Sequence, residues 1–534
     1  MKSEEFLDNL GTLAAAAGGT KRLREMVLDL AVRGDLVGQM TTDGSAEELL
    51  TILAKAKRAI ATGRGVESLP DDVEPVDPPF PLPPAWRWAR LADLGMFVGG
   101  GTPSKSNSAY WTGKIPWVSP KDMKRPYIGD AEDHISDAAL EDSAAKLIPS
   151  GALLFVTRGM ILAHSFPTAL TTREVTINQD MKALVLFVPA MGEYLLRACQ
   201  AARRRMLQQV ERSSHGTCRL DTTDVANLPI PLPPLKEQKR IVAKVDQLMA
   251  LCDDLEAKQT KKRALATQST RSALTALAMA DTVTDLKETW ARVASNFNGL
   301  AAAPDAVNAF REAALSLGLG GWLGDIASRS RTNGEELRAG WWRGDLGDAA
   351  EFVTSGSRNW KNFHSESGSI FIRSQDIRSD ALDLTSPAFV SLPGKAEGTR
   401  TRVKLNDVLV TITGANVGKA AYVTHDVGEA YVSQHVALIR LRDPSLAPWV
   451  HRWLVCQSKG RGQLLGASYG DKPGLNLENI RSVPLEVPPT GEREMLLARM
   501  GVLLAVCDDL EAKLRKQEQT ATRLAESLAA AVAA

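Results

Sequence analysis

PLPPLKEQKRIVAKVDQLMALCDDLEAK (Pro231–Lys258) and VPPTGEREMLLARMGVLLAVCDDLEAK (Val487–Lys513) decide how this 534-residue chain is built. The string CDDLEAK stands at Cys252–Lys258 and again at Cys507–Lys513, an offset of 255. The same offset carries Pro233-Pro234 onto Pro488-Pro489, Glu237 onto Glu492 and Leu220 onto Leu475. It also carries Trp86 onto Trp341, Asp93 onto Asp348, Phe97-Val98 onto Phe352-Val353, Gly101 onto Gly356, Ser119 onto Ser374, Gly159 onto Gly414 and Gln179 onto Gln434. Matches in one register over this span mean duplication. A second, looser match pairs LREMVLDLAVRGDL (Leu23–Leu36) with FREAALSLGLGGWL (Phe310–Leu323), so each repeat carries a short helical lead-in.

Within the quoted stretches, Ile241, Val245, Leu248, Cys252 and Leu255 recur at steps of four and three, as do Leu496, Met500, Leu503, Cys507 and Leu510. That period lays an apolar seam along a helix for a partner helix to cover. A helix from Glu492 to about Ala530 spans roughly 55–60 Å at 1.5 Å per residue. Two duplicated seams are expected to pair with each other in one antiparallel coiled coil. The alternative is that each packs on its own lobe.

The intervening lobes read as mixed α/β. GALLFVTRGMI (Gly151–Ile161), MKALVLFV (Met181–Val188), NDVLVTITGA (Asn406–Ala415) and HVALIRL (His435–Leu441) are short β-rich runs bounded by turn formers. Helices are expected near Tyr194–Arg212 and Pro448–Leu464, and Ser68–Pro84 reads as a Pro-rich linker. The chain divides into a lead-in and linker (1–85), a first lobe (86–232), a central long helix and linker (233–295), a second lead-in (296–340), a second lobe (341–487) and a C-terminal long helix (488–534). The sequence offers no account of Asp281–Leu300.

Net charge is only +1. It is unevenly spread: Trp86–Ile230 and Trp341–Leu485 each hold 17 basic and 14 acidic residues, and the remainder is acidic. A modest basic excess in both lobes permits phosphate contact without requiring it.

Several classes are excluded. The five cysteines, Cys199, Cys218, Cys252, Cys456 and Cys507, form no C-x-x-C pair, which argues against a disulfide framework or zinc site. No apolar run reaches the ~18 residues of a membrane span. The start MKSEEFLDNL lacks a basic-then-apolar leader, so the protein is expected in the cytoplasm. Asp77-Pro78-Pro79-Phe80 matches the tetrapeptide with which amino-methyltransferases stack a flipped adenine, but it sits among prolines with no strand before it. Val98–Gly101 is a poor dinucleotide loop, and Gly414–Lys419 is not a Walker loop.

The segment Pro231–Lys258 resembles the central helix of Type I restriction–modification specificity subunits. WRWARLADLGMFVGGGTPSKSNSAYWTGKIPWVSPKDM (Trp86–Met123) and GDLGDAAEFVTSGSRNWKNFHSESGSIFIRSQDI (Gly344–Ile377) resemble the openings of two target-recognition domains of different subtypes. LREMVLDLAVRGDLV fits the family's N-terminal region, so the resemblance covers nearly the whole chain. The second long stretch lacks the KEQKRI of Lys236–Ile241. The resemblance implies a mixed α/β (α+β) protein: two globular target-recognition domains separated by two long antiparallel coiled-coil helices, with pseudo-twofold internal repetition. It implies a non-catalytic reader of bipartite double-stranded DNA, one half-site per domain, with the helices as a ruler. Two methylation subunits, which carry S-adenosylmethionine, and motor-nuclease subunits are the implied partners. The chain itself is expected to hold no cofactor and no metal.

Arg, Lys, Asn and Gln read base edges, and any basic or hydroxyl group meets phosphate. On that ground the candidate DNA contacts are Lys105, Lys121, Lys124, Arg125, Arg158 and Gln179 in the first lobe. In the second they are Arg358, Lys361, Arg373, Gln375, Arg378, Asn416, Lys419 and Gln434. Gln179 and Gln434 share a repeat position, so a structural hydrogen bond is as good a reading for them. Arg203-Arg204-Arg205 reads as a solvated helix face. Two other classes stay open: a self-contained adenine methyltransferase using Asp77–Phe80, and a coiled-coil scaffold whose lobes bind protein.

Overall fold

The computed structural model describes residues 11, 13, 14, 16, 18–61, 78–212, 216–280, 282–302, 306–324, 340–356, 360–391, 399–468 and 474–533. The chain forms two compact units: Met1–Thr260 with Glu518–Ala534, and Lys261–Gln517. The two long helices, Leu235–Ala278 and Thr490–Ala533, are 44 residues each, or about 66 Å. Each begins in one unit and ends in the other, in opposite senses.

In the first unit the lead-in helix Gly19–Arg33 stops at Gly34, whose φ of +83° an L side chain rarely adopts. It buries Leu23, Met26, Val27, Leu30 and Ala31, a 3.6-period stripe. Strand Arg87–Arg90 pairs antiparallel with Pro229–Leu232, so the two ends of the lobe leave it side by side. Between them lies a five-stranded sheet ordered Gly95–Gly99, Met181–Leu186, Leu153–Val156, Thr168–Thr171, Tyr127–Ile128. A three-stranded sheet follows the order Asp133–Ile135, Ile115–Val118, Thr176–Ile177. Leu153–Val156 is buried along its whole length, as expected of a strand inside a lobe.

The second unit repeats the plan. Trp342–Asp345 pairs with Pro484–Val487. A four-stranded sheet runs Ala350–Ser355, Val436–Leu441, Val408–Thr411, Ala420–Tyr422. A second runs His364–Ser365, Ala388–Val390, Ser369–Ile372, Ala430–Val432. Each lobe has a parallel pair near one repeat position, Val118 beside Ile177 and Ile372 beside Val432, and the first lobe adds a second, Tyr127–Ile128 beside Leu170–Thr171.

The seams are buried by their own units over their first turns. Ile241, Val245, Leu248 and Cys252 lie in one cluster with the first lobe and Leu23, Met26 and Leu30, with Leu255 packed against it. Leu496 and Met500 lie with the second lobe and with Leu315 and Leu319 of the second lead-in helix, Val307–Leu319. Cys507 is also buried, while Leu503 and Leu510 are half-buried. Over these turns the seams are covered by lobe and lead-in helix. Gly318 shows how close the fit is, since a Cβ there would stand 2.2 Å from Met500 Cγ. The corresponding places in the first unit hold Ala31 and Val245, so bulk lost on one helix is gained on the other.

The repeated heptapeptide has a partner. Arg24 reaches Asp253 at 2.6 Å and Glu256 at 2.7 Å; Arg311 reaches Asp508 and Glu511, both at 2.7 Å. Such half-exposed pairs contribute at most about 1 kcal/mol each, so they set register more than stability. Arg24 and Arg311 lie 287 apart, and that offset also carries Leu13-Ala14 onto Leu300-Ala301, all four buried. The unexplained segment is thereby accounted for. Helix Val283–Ser295, begun by a Thr282–Asp285 capping box, and Leu300 pack on Leu274 and Leu277 of the first long helix. They form the front of the second lead-in.

Candidate nucleic-acid interface

In each lobe, backbone hydrogen bonds gather loops distant in sequence onto one edge. In the first, Asn178 N donates to Val118 O, Thr157 N to Asp180 O, Leu220 N to Thr157 O and Gly159 N to Cys218 O. In the second, Ser433 N donates to Ile372 O, Ile412 N to His435 O and Leu475 N to Ile412 O. Two of these bonds repeat at the 255 offset, and the Asn178–Val118 bond repeats as Ser433–Ile372 with a one-residue slip at the acceptor. The matched Gly159 and Gly414 have φ of +138° and +101°, which is why the position is glycine twice. The edge thus carries the turns after Val118 and Ile372, the Gln179 and Gln434 turns, and the Gly159 and Gly414 loops.

This brings together Arg158 and Gln179 of the first lobe, both exposed. It adds Arg219, which faces Arg158 across an isolated antiparallel bridge. Sequence reasoning passed over Arg219; the Leu220–Leu475 match beside it was the available signal. Gln179 Oε1 accepts from Thr102 Oγ1, a bond within the lobe and so the structural reading of that glutamine. Lys105 and Arg125 are exposed. Lys121 is held by Asp133 at 2.9 Å and Glu132 at 3.0 Å, which push its pKa up. Lys124 lies 3.8 Å from Glu132. The expected basic cluster is thus largely neutralised where it stands.

In the second lobe Arg373 is part of its own turn. It binds Asp376 at 2.8 Å and Ser386 O at 3.2 Å, while Asp376 caps the Arg373 amide. Gln375 is exposed. Arg378 is 67% exposed, with Nε donating to Gln375 O at 2.9 Å. Asn416 Nδ2 donates to Ser374 O at 3.2 Å, joining the Arg373 turn to the Gly414–Lys419 loop. Lys419 is half-buried, and exposed Gln434 contacts His435. Arg358, and the side chain of Lys361, lie outside the described residues.

Other expectations resolve as packing. Arg203 reaches His164 O at 2.5 Å and stands 3.8 Å from Glu25 of the lead-in helix. Arg205 is half-buried, and burial lowers its pKa, so the arginine run is not a simple solvated face. Asp77 lies outside the described residues, but Phe80 packs edge-on to Trp88 at 4.9 Å and under the Arg33 guanidinium at 4.9 Å. A ring so engaged is packing, not an adenine platform. A Cβ at Gly100 would meet Asn178 O at 1.9 Å, so that glycine admits a neighbouring strand. All five cysteines are free and buried, and no described helix is long and apolar enough to cross a membrane.

The fold and its paired edges define a duplicated chain of two matched lobes. Residues 83–264 match the Type I restriction modification DNA specificity domain. The EcoR124I/EcoR124II specificity subunit of Escherichia coli is 34% identical over 169 residues, covering 32% of this chain and 42% of that one. The E. coli EcoEI specificity subunit is 23% identical, covering 96% of this chain and 93% of its own length. A chain of a solved type I R-M system gives a TM-score of 0.49 at 18% identity, covering 85% of this chain and 99% of that one. The chain is thus similar to a Type I DNA specificity domain over residues 83–264, and to Type I restriction enzyme specificity subunits over nearly its whole length.

Proposed function

We propose that this chain is the DNA-specificity subunit of a Type I restriction–modification complex. Each lobe reads one half of a bipartite double-stranded site, and the two long helices fix the unread interval. The chain performs no chemistry. Methylation subunits holding S-adenosylmethionine dock on it, motor-nuclease subunits complete the complex, and the assembly works in the cytoplasm. The observation that carries this reading is the duplication itself. Both units keep the Trp–Glu bond, the Arg–acid fork and edge hydrogen bonds, while residues at the edges differ: Arg158 against Thr413 in the loop, and Arg219 against Gly474 across the bridge from it. Equal frames with unequal edges suit readers of unequal half-sites.

Co-expression with the methylation subunits tests it. Split-site DNA binding that weakens steeply with salt, and methyl transfer only when those subunits are present, is the expected result. Methyl transfer by the purified chain alone supports the methyltransferase reading instead, and salt-insensitive or absent DNA binding supports the scaffold.

A further inference from the structure

Three non-glycine residues in the described chain have positive φ, and two of them are adjacent: Ser379 at +47° and Asp380 at +60°. They form the two-residue loop of a hairpin in which Ile377 faces Leu382 and Arg378 faces Ala381. Such tight loops need positive φ at both central positions and usually take Asn-Gly. Ser-Asp is a costly choice there, and backbone strain of this kind persists only where surrounding structure enforces it.

The enforcement converges on Asp380. Its carboxylate accepts from the backbone N–H of Ala420 at 3.1 Å and from the Arg461 guanidinium. Its carbonyl oxygen lies 2.8 Å from Nε2 of His451, which also approaches Ala420 O at 3.3 Å. A ring nitrogen facing two carbonyl oxygens is a donor, so the imidazole carries its proton there; burial keeps it neutral. Ala420 directly follows Lys419, the last residue of the Gly414–Lys419 loop. One aspartate therefore welds two pieces of the edge, the Arg378 hairpin and the Lys419 loop, to the lobe's buried helices.

We propose that Asp380 is a positioning residue for the second half-site: it sets where Arg378 and the Gly414–Lys419 loop meet DNA, without touching DNA itself. The proposal rests on the specificity-subunit reading above. Arg378 supplies the exposed guanidinium, pinned at Nε by the Gln375 carbonyl and 3.9 Å from Asp383 at its far end, and the anchored turn holds its backbone still. A guanidinium on a loose hairpin would still attract phosphate but would discriminate bases poorly.

The test uses the full chain with its methylation partners and a map of methylated adenines. Asp380→Gly keeps the backbone conformation and removes the carboxylate anchor. Asp380→Asn tolerates the same conformation and keeps an acceptor for Ala420 N–H, and it guards against a folding failure of the glycine variant. The wild type should yield one split motif. Asp380→Gly should relax the second half of that motif by about tenfold, the scale of one lost base contact, with the first half unchanged. Asp380→Asn should lie closer to wild type, and hydrogen exchange at 377–382 should quicken in the glycine variant. A glycine variant that reads both halves as the wild type does, or that loses both halves equally, overturns the proposal. A wild-type chain that directs no split motif overturns the specificity-subunit reading instead.

Discussion

The indole Nε1 of Trp86 donates to Glu237 Oε2 at 3.0 Å, and 255 residues on Trp341 donates to Glu492 Oε2 at the same 3.0 Å. Each bond ties the first residue of a lobe to the first turn of the long helix that leaves it. Removing the carboxylate strands a buried indole N–H, which costs about 1–3 kcal/mol. Glu237→Ala should loosen the first unit and Glu492→Ala the second, read as faster hydrogen exchange in that unit alone. Glu237→Gln, which keeps an acceptor, should cost less.

Gly318 and Met500 form a size-matched pair whose counterpart is Ala31 with Val245. Gly318→Ala would bring a methyl to 2.2 Å from Met500 Cγ and should destabilise the second unit by about 1–3 kcal/mol. Adding Met500→Val recreates the first unit's combination and should recover most of the loss. Denaturant midpoints of the single and double variants decide it. An additive double variant means the two sites do not share the contact.

His451 gives the second lobe an acid sensitivity. Burial lowers its pKa from the ordinary 6.5. Above that value the imidazole is neutral both folded and unfolded. Below it the unfolded chain binds a proton that the folded lobe refuses, so stability falls as pH drops from about 6.5 toward the folded-state pKa. His451→Gln, which still presents an N–H, should flatten this decline. Unfolding midpoints between about pH 7 and 5 measure it.

The two edges should fail separately. Arg158→Ala should weaken protection of one half-site and Arg378→Ala the other, each by about 1–3 kcal/mol if a base edge is contacted. Lengthening the first long helix by four residues after Asp254 adds about 6 Å and should shift the tolerated spacer by about one or two base pairs. Footprints of the assembled complex on half-site and spacer variants report both.

Much of this was legible in sequence, because duplication writes the frame twice. Trp86, Glu237, Gly159 and Leu220 each announced a structural role by reappearing at one offset, and the heptad steps announced the helices. What covers the seams was not legible: a 4–3 stripe says that a helix buries one side, and lobe, lead-in and second seam are equally apolar covers. The lead-in match, Leu23–Leu36 with Phe310–Leu323, was legible at its own offset of 287; its extension back to Leu300 was not, and Arg24 and Arg311 binding matched acids supports that register. Edge residues were the least legible. Lys121 and Arg373 look like free cations in sequence, yet Asp133 and Asp376 hold them. Asp380 carries no motif, since its role comes from φ and from three partners between 40 and 81 residues away.

The most direct test is a genome-wide map of methylated adenine in the source strain with and without this gene. The two-reader account expects one split motif, two short specific halves around a fixed unread interval, to lose methylation completely on deletion. An unchanged map in a strain whose partner methylation subunits are expressed and active would contradict it.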